Sequence, residues 1–158
     1  MADNYVQVLI DTLTEKELTL RKILEITKLQ EELSKKDTYA MEDMEKTLDE
    51  KEIQISRVNY LDEGFQSVYE RIRSELRKNN DKYKVEIAAL QDKIRICMDI
   101  ANEIQVLEDR NRNRFSALFA KTRKQYTTSK TQANVAQNYA KIMNKAKVLD
   151  SYFVDKKK

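Results

Sequence analysis

Residue types that commonly do chemistry are scarce in this chain. Its 158 residues include no histidine, one cysteine (Cys97) and one glycine (Gly64). Without histidine the commonest general base and metal ligand is missing. One glycine cannot build a phosphate-cradling loop, and one cysteine allows neither an internal disulfide nor a multi-cysteine metal site. Cys97 falls on an apolar stripe, where a thiol behaves as a small hydrophobe. Adjacent carboxylates such as Glu31 with Glu32 and Asp49 with Glu50 have the spacing of solvated helix faces. The expectation is a protein that is not an enzyme, with no cofactor, no metal and no small-molecule substrate.

One polar group deserves a second reading. Glu108 and Asn111 fall on an otherwise apolar stripe, with Arg110, Arg112 and Arg114 around them. Such a step is a polar layer that fixes the register of packed helices, the end of the packed region, or a functional polar pocket.

The elements that would position these groups are helices. Absence of proline, a single glycine and 36% charged residues rich in Lys and Glu make a helix-forming mixture, because straight-chain side chains lose little rotamer freedom in a helix. A heptad ladder occupies residues 83–118: Tyr83, Ile87, Leu90, Ile94, Cys97, Ala101, Ile104, Glu108, Asn111, Phe115 and Leu118 recur at steps of four and three. A stripe of this kind must be covered by another helix.

Two further stretches precede it. Asn4 with Gln7 three residues on reads as a cap for a first helix bearing Val6, Leu9, Ile10, Leu13, Leu20, Ile23, Leu24, Leu29 and Leu33. That helix should end near Ser34, Lys35 and Lys36, with Asp37 capping the next. The second carries Met41, Met44, Leu48, Ile55, Val58, Phe65, Tyr69, Ile72 and Leu76, with Lys51 and Asp62 as polar interruptions. Its phase runs unbroken past Gly64, which favours continuity or a mild kink over a full reversal there, although the only glycine leaves a turn open. Asn79, Asn80 and Asp81 form the better break, because short polar side chains compete for backbone hydrogen bonds; the third helix should then run from near Lys82 to about Lys130.

The expected fold is all-α: an elongated, antiparallel, up-down-up bundle of three long helices over residues 1–130, then a basic segment over 131–158 with an amphipathic C-terminal helix, mobile or packed. Residues 1–120 hold 20 basic and 25 acidic side chains, residues 121–158 hold 10 basic and 2 acidic, and no glutamate follows Glu108. Charge alone does not choose among nucleic acid, anionic lipid, an acidic protein and plain solubility. Within the basic segment Val135, Tyr139, Ile142, Met143 and Ala146 recur at helical spacing, followed by Leu149, Tyr152 and Phe153. About 15 residues of this kind are marginal alone in water, so they need a surface, either their own bundle or a partner. The first residues lack the basic and apolar regions of a signal peptide, and no apolar run is long enough to span a bilayer. A cytoplasmic protein without membrane insertion is expected.

Residues 33–52, LSKKDTYAMEDMEKTLDEKE, resemble the FlgN-type flagellar export chaperones: a leucine-rich first helix, a short turn ending at an aspartate, then a helix with a Glu- and Lys-rich surface. Asp37, Leu48 and Lys51 stand at the matching points. Residues 104–113, IQVLEDRNRN, are similar to the polar, asparagine-containing step on the family's long third helix. The ending Tyr152-Phe153-Val154-Asp155-Lys156 is similar to the ends of family members from Gram-positive anaerobes. The resemblance implies a cytoplasmic chaperone that keeps unassembled hook-associated (hook-filament junction) proteins from polymerising and delivers them to the flagellar type III export apparatus. It also implies client contact through the C-terminal helical region, with Val135, Tyr139, Ile142, Met143, Ala146, Leu149, Tyr152 and Phe153 as the apolar contacts here. A family tyrosine for export-gate docking has three candidates, Tyr126, Tyr139 and Tyr152.

Two other readings stay open. A coiled-coil stalk or structural component of a secretion apparatus would use the same stripes in a fixed hairpin. A nucleic-acid or membrane binder would use the basic segment, but no stacking aromatics are interleaved with its lysines in a recognisable module, so nucleic acid is not expected as a partner. Leftover apolar stripe also leaves pairing of two chains, a homodimer, open.

Overall fold

In a computed structural model of the chain, the backbone is described for residues 2–36, 41–125 and 141–144, and side chains for residues 4–36, 42–121 and 141–144. Among the described residues the fold is all-α, with no strand. Three long helices pack against one another: α1 (Ala2–Ser34), α2 (Met41–Lys78) and α3 (Lys84–Gln125). A further helical turn covers residues 141–144.

Each helix follows from its sequence pattern, with corrections at the ends. α1 starts at Ala2, so Asn4 lies inside the first turn instead of capping it. Gln7 donates through Nε2 to Asp11 Oδ1 at 2.9 Å, an i,i+4 bond that removes it from the expected capping box. The C-terminal end stands where the sequence puts it: after Ser34, the amides of Lys35 and Lys36 donate to the carbonyls of Glu32 and Leu33, tightening the last turn. Asp37, expected as the next cap, lies outside the described residues. Between α2 and α3, Asn79 N donates to Glu75 O, Tyr83 N donates to Asn79 O at 3.2 Å, and Ile87 N donates to Tyr83 O. The polar trio Asn79 to Asp81 thus sits where the two helices part. α3 begins two residues after the expected Lys82, and its expected last turns, up to Lys130, lie outside the described residues.

The chain divides into two compact units, and all three helices contribute to both. The first comprises Met1–Ile23 and Gln54–Ala101, the second Leu24–Ile53 and Asn102–Lys158. In the first, Val6, Leu9, Leu13, Ile72, Leu76, Tyr83 and Leu90 form one apolar core, with Phe65, Tyr69 and Ile87 packed against it. The rings of Phe65 and Tyr69 stack with centroids 6.1 Å apart. Fully burying such side chains contributes about 1.5–3 kcal/mol each. Ion pairs Lys16–Asp62 at 2.7 Å, Arg57–Glu15 at 2.7 Å and Lys93–Glu17 at 3.6 Å join the helices at the surface, each in a range where exposed pairs are worth about 0–1 kcal/mol. Asp62, a polar interruption in the sequence, is therefore an ion-pair partner at the margin of the core.

α2 runs through Gly64 without a break. Gly64 is exposed, has no positive φ, and a Cβ built on it would meet nothing within 4 Å. Its lack of a side chain is therefore uncompensated helix-interior entropy. Gly64→Ala should stabilise the fold by about 0.5–1 kcal/mol and raise the melting midpoint by roughly 1–4 °C, measured by circular dichroism; an unchanged or lowered midpoint would show that the glycine is required where it stands.

Candidate functional site

Polar burial is concentrated in the second unit. Among the described residues, Thr19 is the one buried polar or charged side chain of the first unit, while Thr27, Gln30, Ser34, Thr47, Lys51, Gln105, Glu108 and Asn111 belong to the second. At their centre is Lys51, on α2, which has no exposed surface. Its position on the apolar stripe of α2, three residues after Leu48 and four before Ile55, turns the ammonium inward. There Nζ meets two acceptors from the other helices: the carboxylate of Glu108 on α3, and Gln30 Oε1 on α1 at 2.7 Å.

The network continues outward from this pair. Gln30 Nε2 donates to Thr47 Oγ1 at 3.2 Å, and that hydroxyl donates to the Met44 carbonyl at 2.6 Å, an i−3 bond within α2. One helical turn beyond Glu108, Asn111 Nδ2 donates to the Thr27 carbonyl of α1 at 3.1 Å. Each of the three helices thus provides a member. Leu48, Met44, Ile104, Leu107 and Phe115 pack in the same unit and are buried. Saturation is incomplete: Gln105 Oε1, Asn111 Oδ1, Arg114 Nη1 and Glu31 Oε2 find no hydrogen-bond partner, although Arg110 stands 3.6 Å from Glu31 Oε2 as a Coulombic neighbour. Between α1 and α3 of this unit an open cleft of about 480 Å³ is lined by Leu29, Val106 and Leu107 with Glu31, Glu103 and Arg110 among its charged neighbours.

Of the readings of Glu108 and Asn111, the geometry matches the polar layer: both are buried and bonded across helices. Sequence reasoning placed Lys51 on one stripe and Glu108 on another without pairing them, and it missed Gln30 and Thr27. Both were overlooked because Leu29 is the stronger hydrophobic signal, yet Leu29 is half exposed while Thr27 and Gln30 are buried. No group of three or more His, Cys, Asp or Glu among the described residues could hold a metal ion.

The remaining candidate, Cys97, is buried in the first unit with Sγ 3.8 Å from the Leu13 carbonyl. Burial pushes its pKa above the ordinary 9.0, opposite to what activates a thiol.

Of the sequence-derived partner residues, Ile142 is 3% exposed and Met143 half-buried, while the neighbouring Lys141 ammonium lies 3.2 Å from Glu45 Oε1 of α2. Val135, Tyr139, Ala146, Leu149, Tyr152 and Phe153 lie outside the described residues, as do Tyr126 and the closing lysines. No helix among the described residues is long and apolar enough to cross a membrane. No protein-family model, no curated protein and no solved structure matches the chain.

Two outcomes follow. Removing the ammonium alone, as in Lys51→Met, leaves the Glu108 carboxylate buried and uncompensated and should cost about 3–5 kcal/mol in urea unfolding; a loss under 1 kcal/mol would mean that the carboxylate reaches water. The Cys97 thiol should react slowly with a disulfide reagent at pH 8 until the protein is unfolded. Since its folded pKa is raised, the stability it contributes is complete below pH 9 and is lost as pH rises through the folded value, an effect that Cys97→Ala should remove from the alkaline limb of the stability profile.

Proposed function

We propose that this chain is a non-catalytic helical binding protein, a cytoplasmic export chaperone that holds unassembled flagellar hook-filament junction proteins through its C-terminal segment and hands them to the type III export apparatus. The observation that carries the reading is Ile142. It belongs to a segment with the apolar spacing of a short helix, and its side chain is buried while the adjoining Lys141 makes only an exposed ion pair with Glu45. A side chain held in this way marks an apolar contact at Ile142 that the segment can exchange for the apolar stripe of a client helix. Weak exposed ion pairing beside it costs little to break. No hydrolysis or cofactor is needed for such an exchange.

The bundle's part in this reading is that of the support, with α1, α2 and α3 running up, down and up. Contacts support that order: Glu15 pairs with Arg57 and Gln30 bonds Thr47, so rising numbers on α1 meet falling numbers on α2, while Glu17 pairs with Lys93 and the Thr27 carbonyl accepts from Asn111, so α3 rises with α1.

Hydrogen exchange over residues 131–158 of the full chain, with and without an unassembled junction protein, tests the proposal. Binding should change protection in this stretch, and Ile142→Asp with Met143→Asp should weaken binding at least about tenfold. Binding that leaves residues 131–158 untouched, or no binding at all, would overturn the reading and favour a fixed structural hairpin.

A further inference from the structure

We propose that the polar layer makes the second unit a built-in opening unit, one that unfolds locally and reversibly while the first unit stays closed. Two independent features point there. The first is the Lys51–Glu108 pair, whose burial removes two full charges from water; attraction inside a protein offsets that cost only partly, and apolar replacements of similar volume are often neutral or stabilising. The second is the distribution of buried polar atoms that make no hydrogen bond. Among the described residues these atoms, on Glu31, Gln105, Asn111 and Arg114, belong to the second unit, and each regains water when that unit opens; Glu31 Oε2 keeps Arg110 only as a Coulombic neighbour at 3.6 Å. The core cluster of the first unit carries no charge: its members are aliphatic side chains and Tyr83, whose hydroxyl donates to Glu75 Oε1 at 3.4 Å.

Local opening free energies differ across a protein according to such imbalances, and the least stable cooperative segment opens first. Opening here releases Lys51 and Glu108 to solvent and uncovers Leu48, Ile104 and Leu107, an apolar surface of the kind an amphipathic client helix covers. The opening itself does not depend on the chaperone reading; the use of the uncovered surface by a client rests on it.

The test is hydrogen exchange on the full chain without any partner, comparing residues 104–111 with residues 90–97 of the same helix. In the native sequence the former should exchange at least about tenfold faster. Lys51→Met combined with Glu108→Leu should slow residues 104–111 about tenfold or more and leave residues 90–97 unchanged, whereas Lys51→Met alone should accelerate them. Equal or slower exchange at residues 104–111 in the native sequence, or no slowing in the double variant, would overturn the proposal. A second arm measures association with an unassembled junction protein. Association by the double variant at least about tenfold slower than by the native chain supports the client's use of the opened surface, and unchanged association refutes that use. Failure of the native chain to bind would sink the chaperone reading and leave the exchange result standing.

Discussion

The pairing of Lys51 with Glu108 is the constraint to which the second unit is subordinate. Two charges without water are tolerable only while they face each other and their remaining valences are occupied. Gln30 occupies one of them from α1, and Thr47 in turn steadies Gln30. Sliding any of the three helices by one turn would move its member of the network by about 5.4 Å and strand a charge in an apolar setting. A heptad stripe of Leu and Ile tolerates such a slip, because one apolar layer resembles the next; an ion pair with a single matching partner does not. Register in this unit is therefore set by the least stabilising group in its core.

The first unit works by the opposite rule. Val6, Leu9, Leu13, Ile72, Leu76 and Leu90 interlock without a charge among them, so burial supplies cohesion and shape must supply alignment. Its charges are at the margin, where Lys16, Arg57 and Lys93 reach Asp62, Glu15 and Glu17. Those pairs add little energy but disfavour neighbouring alignments that would bring like charges together. Cohesion and uniqueness, often demanded of the same residues, fall here to different stretches of the same helices.

How much of this was legible in the sequence depends on which physical signal carried it. Periodicity located the three helices and most of their inward faces, since the apolar positions of α2 and α3 recur with the helical repeat. Ile94 is the exception on the α3 ladder, being 40% exposed while Ile100 and Leu107 are buried. Beyond Ile94 the ladder returns to the core at Cys97, Ile104, Glu108, Asn111 and Phe115, and the off-ladder Ile100 and Leu107 widen the buried face to the breadth of a globular helix stripe. Helix ends were less legible: Asn4 has the composition of a cap, but nothing local forbade the turn that begins at Ala2. Pairing was not legible at all. That Lys51 and Glu108 are misfits on their own stripes can be read from spacing, whereas that each is the other's remedy requires knowing which layers are level. Similarly, the hydrophobic scale selects Leu29, while the packing selects Thr27 and Gln30.

Each long helix passes from one unit into the other without a break in its hydrogen bonds. Loss of order that begins in the second unit therefore cannot end at a loop; it must end inside a helix, as a helix–coil junction. Such a junction leaves about four amides or four carbonyls to water, and because propagation along a helix is cheap compared with nucleation, it can migrate residue by residue. The junction comes to rest on each helix where opening one more turn costs more than the turn regains in hydration.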